Sequence, residues 1–564
     1  MNNIIFLLPL YENIKEKMSL QKFYYYSLIC LPIISILGDE TKMTNFYILT
    51  LYISGLIFIG INIHIKNKYE LHIGKIEIIL FLITCISLTS CILNKFPISK
   101  YLYYNLATIP ILIFISTPII KKYKGCFCKD IFNIIININF IVIILLNLNK
   151  EHNIINYHLG NGSIVSIILS ISICILAYKY TKKSKELISL IYIIMILLDC
   201  YYIYKLNCRT AYFIIIFSFI FNKFYSKYVK LLISGITVAI FLFLFINNNA
   251  KNNSTLGRAF IIKNAFTLSS NNFIYGTGGF DSFSYAYPKI QAQYFNRNKS
   301  FDKNHLLADN VIYAYNEYIQ ILCEIGIIGI FLIVYGLIYT RRILQTEQIY
   351  YYNLFIPLIL SAFFIYTFHI TIFLSLLILS LAFAASFQET KTKFYFIKIP
   401  LLLIISMIII YNSQHLYKSI YINKILTSQN MQKIDDNLII NEFNENKKYM
   451  YMFAHLYKCE NKEYIKNIKE ISKKYINSDL IFLEAKKLIE IKQYNEAKNK
   501  LIFASNICPN RFRYRYELFK TQLKLGNINQ AKQLAIFIIN MPIKINSPAI
   551  KAIKLEVEEF LNQK

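Results

Sequence analysis

Apolar residues in this chain come in long blocks. From about residue 23 to 412, runs of Ile, Leu, Phe and Tyr alternate with short polar breaks. A single such run fits a buried core helix. A dozen in series require a bilayer, because about 20 apolar residues of helix cross its hydrocarbon. The pattern predicts thirteen spans, at roughly 23–38, 46–65, 76–93, 101–120, 131–148, 162–178, 187–204, 210–225, 229–246, 319–340, 353–369, 370–387 and 398–412. The expected fold is all-α: a polytopic helical membrane protein of about 12–13 spans. A large polar loop fills 247–318. After 412 the pattern turns amphipathic and predicts a separate helical domain.

Charge orients the bundle. Net charge is +29, which in a soluble chain would suggest nucleic acid, but no basic groove or recognition motif accompanies it. The Lys and Arg sit in alternate loops instead. With a cytoplasmic N-terminus, the inside segments hold Lys66, Lys68 and Lys75, then Lys121, Lys122, Lys124 and Lys129, then Lys179, Lys182, Lys183 and Lys185, and later Arg341 and Arg342. The short outside loops hold only Lys42, Lys95, Lys100, Lys150, Lys205 and Arg209. This positive-inside bias places 247–318 and the C-terminal domain outside. Cysteines are scattered, mostly within spans. Cys126 and Cys128 lack the spacing of a zinc or redox site. Cys459 and Cys508 are left as a pair the sequence does not settle. The apolar patch at Ile4–Leu10 lacks the basic start and cleavage site of a signal peptide.

Beyond 412, two segments match. "KQYNEAKNKLIFASNICPN" carries Tyr494, Ala497, Ala504 and Pro509. "KLGNINQAKQLAIFIINMP" carries Gly526, Ala531 and Pro542. Ala497 and Ala531 stand 34 residues apart, the tetratricopeptide period. Small residues at that spacing let paired helices pack closely. Residues 413–477 read as helical too and offer further pairs. The domain is read either as a docking platform for a protein partner or as a stabilising cap.

Three polar features gather near the outer face: Arg209 in "NCRTAY", Arg258 in "STLGRAFIIKNAF", and "YAYNEYIQILCEIGIIG" at 313–329. Gly276, Gly278 and Gly279 lie between the last two. They lack the Lys-Ser/Thr of a phosphate loop and fit a tight turn. Either arginine alone is an ordinary anchor or solvated residue. Gly326 and Gly329 suit close packing of span ten on its neighbours.

Together these features resemble the O-antigen ligase family of bacterial membrane glycosyltransferases, which includes protein O-oligosaccharyltransferases and O-antigen polymerases. The family hallmark is His, then Asn, Ser or Gln, then nine residues, then Gly-x-x-Gly. Tyr315-Asn316, nine residues, and Gly326-Ile-Ile-Gly329 fit all of it except the His. Arg209 in "CRTA" and Arg258 in "LGRAF" match the family's two arginines. The resemblance covers residues 200–340 most closely.

The resemblance implies an enzyme of the cell inner membrane that works without metal or cofactor and inverts the sugar centre. It would move a glycan from a polyprenyl diphosphate donor to an acceptor hydroxyl, on lipid A core, a protein or a growing glycan. Charge builds on the departing diphosphate, which Arg forks bind well. Arg209 and Arg258 are the candidates. Tyr315, Asn316, Glu317 and Glu324 complete the implied site. Tyr315 is a poor base near neutral pH, so a base is sought among Glu317, Glu324, His305 and Asp309, or none is needed. His369, at the turn between spans eleven and twelve, is a more distant candidate. The expected organisation is a cytoplasmic N-terminus (1–22), a nine-span bundle (23–246), a periplasmic catalytic loop (247–318), further spans (319–412) and a periplasmic tetratricopeptide-like domain (413–564). A transporter of lipid-linked glycan is the rival reading, but no inverted repeat or row of buried charges supports it.

Overall fold

A computed structural model describes residues 19–36, 44–67, 71–96, 100–148, 162–181, 186–221, 235, 252–298, 302–347, 349–388, 393–394, 398–428 and 475–562. The chain is all-α. Its apolar part comprises α1 (Leu20–Ile29), α2 (Leu31–Ile34), α3 (Thr44–Asn67), α4 (Lys75–Leu93), α5 (Lys100–Lys122), α6 (Lys124–Leu148), α7 (Gly162–Thr181), α8 (Glu186–Lys205) and α9 (Arg209–Phe221). The polar loop forms α10 (Asn252–Asn271), α11 (Phe283–Arg297) and short α12 (Lys303–Leu307). Then come α13 (Glu317–Glu347), α14 (Ile349–Ser361), α15 (Thr371–Ala385) and α16 (Lys398–Ser428). A two-residue antiparallel pairing, β1 (Leu71–His72) with β2 (Lys393–Phe394), ties two loops together.

Five described helices are long and apolar enough to cross a membrane: Tyr47–Lys66, Lys75–Leu93, Lys124–Ile144, Gly162–Tyr180 and Glu317–Gln345. Their composition explains the packing. Apolar on all sides, they bury one face against neighbours and leave another bare. Phe81, Leu197, Phe331 and Met407 are 62–69 % exposed, an arrangement that lipid tolerates and water does not. Inside, Tyr25 packs on Tyr123 and Phe127, and Phe127 stacks on Phe383. Buried hydroxyls bond back to their own helix, as Ser54 does to the Thr50 carbonyl (2.8 Å) and Ser380 to Leu376 (2.9 Å), so no polar group need face hydrocarbon.

The structure departs from the sequence reading at three points. Span one is broken into α1 and α2, with Pro32 at the start of the second, where the missing N–H costs nothing. Span eleven ends at Ser361 rather than 369. Residues 362–370 form a turn with a 3-10 segment, Thr367–His369, although every residue there but His is compatible with a span. Span ten, read as continuous, is interrupted at Gly326. Asp199 is fully buried within the bundle, where Asn139 donates to it (3.1 Å) and to Ser172 (2.8 Å). Span nine (229–246) apart from residue 235, Cys459 and the proposed helical pairs between 429 and 474 lie outside the described residues.

The C-terminal part is a row of antiparallel helices: α17 (Ser478–Glu490), α18 (Tyr494–Ile507), α19 (Phe512–Lys524), α20 (Ile528–Asn540) and α21 (Pro548–Asn562), each packed on the next. Ala497 and Ala531 occupy the same place in α18 and α20 and are both fully buried. Cys508 is a free, buried thiol. This row docks on the polar loop. Gln291 of α11 donates to the carbonyls of Asp309 (3.0 Å) and Ile507 (2.6 Å). Asn510 donates to those of Leu306 (3.1 Å) and Ala308 (2.8 Å). The Ser478 N–H donates to Asn310 (2.8 Å), and Arg511 pairs with Asp309 (3.5 Å).

Candidate functional site

The site is built where two helices stop being helices. In α13, Gly326 takes φ 72° and ψ −170°, a conformation that only glycine adopts without strain. Breaking the helix there frees backbone groups in a buried place, and each must find a partner. The glycine-rich loop supplies them. Thr277 N–H donates to Cys323 O (2.9 Å), Gly279 N–H to Glu324 O (3.0 Å), and Ile327 N–H to Phe273 O (2.9 Å). The two backbones meet so closely that a Cβ on Gly276 or Gly326 would strike the other strand's carbonyl. Thus Gly326 serves a backbone junction, not the helix-packing face expected of it. The end of α4 grips the same loop: Gly279 N–H donates to Ser90 Oγ (2.9 Å), Phe280 N–H to Ser87 Oγ (3.0 Å), and Asn94 Nδ2 to Gly276 O (3.1 Å). The turn expected at the three glycines is present, with positive φ at all three.

The second break, at 362–370, lies against the start of α13. Glu317 N–H donates to Ala362 O (2.8 Å). Asn316 caps α13 by accepting from Ile319 N–H (3.1 Å) and donates to Phe363 O (3.1 Å). Arg258 reaches the same turn from α10, donating to Phe364 O (3.3 Å), with its guanidinium 5.1 Å from the Tyr315 ring centre. Tyr315 itself sits at φ 54°, a costly conformation for a bulky residue that needs its surroundings to hold it. Its ring meets Tyr366 edge-on at 5.8 Å. Arg209 opens α9. One turn further on, Phe213 stacks on Phe364 at 5.7 Å. Both arginine-bearing helices therefore converge on one turn.

The six residues singled out from the sequence do not all face one space. Arg258, Tyr315, Asn316 and Glu317 surround the 362–370 turn, and α9, which Arg209 opens, meets it through Phe213. Glu324 lies deeper and fully buried, accepting from Gln320 (3.2 Å) and the Phe283 N–H (3.4 Å). It anchors the glycine loop to α13. Of the other base candidates, His305 is buried in a local capping arrangement with Asp302 (2.7 Å). Burial disfavours the Asp302 charge, but its hydrogen bonds from His305 and Asn304 outweigh that and hold the carboxyl below its usual range. Asp309 faces Arg511 of the C-terminal row. Neither borders the turn cluster.

His369 does. Its Nδ1 lies 3.0 Å from Glu317 Oε1, which also accepts from the Phe368 N–H (2.6 Å). Glu317 is 1 % exposed and His369 28 %. Burial pulls the imidazole pKa down, but the Glu317 carboxylate, its hydrogen bond, and the charges of Glu324 and Asp281 carry it up to about 9. Asp281, on the glycine loop at φ 73°, is the residue sequence reasoning passed over. Its signal was its place directly after "GTGGF".

A cavity of about 310 Å³ opens between these groups and runs down through the bundle. Its depth is lined by side chains such as Ile53, Ile79, Ile109, Ile333, Leu337 and Leu377. Asp281, Tyr313, Glu317 and His369 form its polar mouth. A long apolar slot capped by ionisable groups suits an amphiphile with a chain in the slot and a polar head at the mouth.

No curated protein matches the chain. A family model described as O-Antigen ligase matches residues 157–334. That segment holds Arg209, Arg258, the glycine loop and Tyr315 to Gly329, but ends before His369. With the Gly326 kink of α13 and both arginines inside the matched segment, this part of the chain is similar to the O-antigen ligase family.

Proposed function

We propose that this enzyme transfers a glycan from a polyprenyl diphosphate to a hydroxyl of lipid A core, at the periplasmic face of a bacterial inner membrane. The apolar cavity with its ionisable mouth carries this reading. The slot takes isoprene units, and the mouth presents the diphosphate and its sugar toward Arg258 and Arg209. In the reaction the acceptor oxygen bonds to the anomeric carbon. The bond from that carbon to the diphosphate oxygen breaks, the electron pair stays on the phosphate, and the hydroxyl proton passes to water. Direct displacement inverts the centre. Arg258 and Arg209 stabilise the growing negative charge, and Tyr315 and Asn316 hold Arg258 and the turn in place.

A protein or glycan acceptor is the second reading. The C-terminal helices favour it, because they contact the polar loop through Asn510 and Gln291 and extend the outer surface beside the site. That row is suited to docking a large acceptor or a protein partner.

Glycan profiling of a deletion strain, complemented with wild type or Arg258→Ala, tests both. Loss of one glycan class that only wild type restores supports the enzyme, and the missing class names the acceptor. Normal transfer by Arg258→Ala at equal protein level removes the arginine from the reaction.

A further inference from the structure

We propose that His369, held by Glu317, is the cation that receives the donor's diphosphate at the cavity mouth. The inference rests on the polyprenyl diphosphate reading above and adds to it a residue outside the segment matched to the family.

The wall of the cavity contains Asp281 and Glu317 but neither Lys nor Arg. Among the described residues lining it, His369 is the one group able to carry positive charge. An anionic head would meet repulsion from the two acids without it. The imidazole is fixed by its Nδ1 contact to Glu317, and its Nε2 lies 3.4 Å from the Gln320 Nε2. That amide is already oriented: its oxygen accepts from Ala314 N–H (3.1 Å) and its nitrogen donates to Glu324 (3.2 Å). The amide nitrogen can give its second hydrogen to a neutral imidazole, but it offers an imidazolium no acceptor. His369 lines the cavity, and a phosphate oxygen entering there supplies the acceptor that the Nε2–H of the charged ring lacks, as a charge-assisted hydrogen bond.

The groups facing the imidazole set its titration. Glu317 and Glu324 come from α13, Asp281 from the glycine loop, and the Tyr313 ring lies tilted at 4.8 Å. Arg258 lies beyond the Tyr315 ring, and α15 contributes no ionisable residue. The acids prevail, so the imidazolium persists to a pH of about 9 and is lost above it.

The test is binding of geranylgeranyl diphosphate, and of geranylgeraniol, to the full chain in nanodiscs between pH 6 and 10. Wild type should bind the diphosphate tightly up to about pH 9 and more weakly above. His369→Gln should bind it roughly 10-fold more weakly at pH 7 and lose the step near pH 9, with geranylgeraniol unaffected. If that variant does not fold, Glu317→Gln carries the test: it removes the counter-charge, so the step must move to lower pH. A His369→Gln protein with wild-type affinity and an unchanged step overturns the role of His369 alone. So does diphosphate binding that strengthens as pH rises, which would make the residue a base. A wild-type chain that binds neither compound overturns the donor reading and this inference with it.

Discussion

Two buried carboxylates of this molecule look alike by local measures and do different things. Glu317 is 1 % exposed and lies 3.0 Å from His369, which is 28 % exposed. Glu484 is 0 % exposed and lies 2.9 Å from Lys500, which is 35 % exposed. The second pair joins α17 to α18 within the C-terminal row, and Lys500 turns outward. The first joins two broken helices, and its cation turns into a cavity. A buried ion pair alone therefore says little about function, since structural pairs perturb charge as well. What lies beyond the cation decides.

The comparison can be broken or sharpened at several positions. Arg258→Ala should have the largest effect on transfer, a loss of at least about 100-fold, as for removal of one donor that stabilises transition-state charge. An in vitro transfer assay at matched protein level reads it. Gly326→Ala should come next. At φ 72° and ψ −170° an L-residue is strained by about 1–3 kcal/mol, and the new methyl would also strike the Ile274 carbonyl. Both activity and thermal stability should fall. An unchanged protein would mean that α13 straightens at no cost.

His369→Gln should lower transfer roughly 10-fold while leaving the melting temperature near wild type at high pH. The pH dependence has a definite sign. The folded imidazole titrates near 9, above its ordinary value of 6.5. Its pairing with Glu317 therefore stabilises fully below about 6.5 and is lost as pH rises through about 9. Thermal unfolding of wild type should show that decline and the variant should not.

Lys500→Ala tests the other carboxylate. It should destabilise the C-terminal row by about 1–3 kcal/mol, because it strands a buried acid, and leave transfer per folded molecule intact. Reduced turnover without reduced stability would make the two pairs functionally alike. Asn510→Ala should have the smallest effect, roughly 1 kcal/mol for the bonds to Leu306 and Ala308. Faster proteolysis at the 306–310 segment would report loosening of the dock.

Much of this protein was legible from sequence because its signals are local. Uninterrupted apolar runs dictate helices in lipid whatever their neighbours are. Tyr315-Asn316 and Gly326-x-x-Gly329 keep a fixed spacing as a linear motif, Arg258 stands out by its place after Gly257, and Ala497 and Ala531 mark equivalent helix positions by their separation alone. The sequence by itself thus determined the helical class, most helix boundaries and the arginine-bearing segments. The breaks in α13 and after Ser361 were not legible. A glycine in an apolar run reads equally as a packing face or a kink, and the choice depends on whether another backbone waits to bond the freed groups. Here the loop at 273–279 waits for Gly326, and α13 waits for the 362 turn. Only tertiary structure could seat His369 on Glu317, across 52 residues, and leave Glu324, about two helix turns deeper, with an anchoring task. The physical reason is that a carboxylate's role is set by the charges and space around it, and those are brought together by folding.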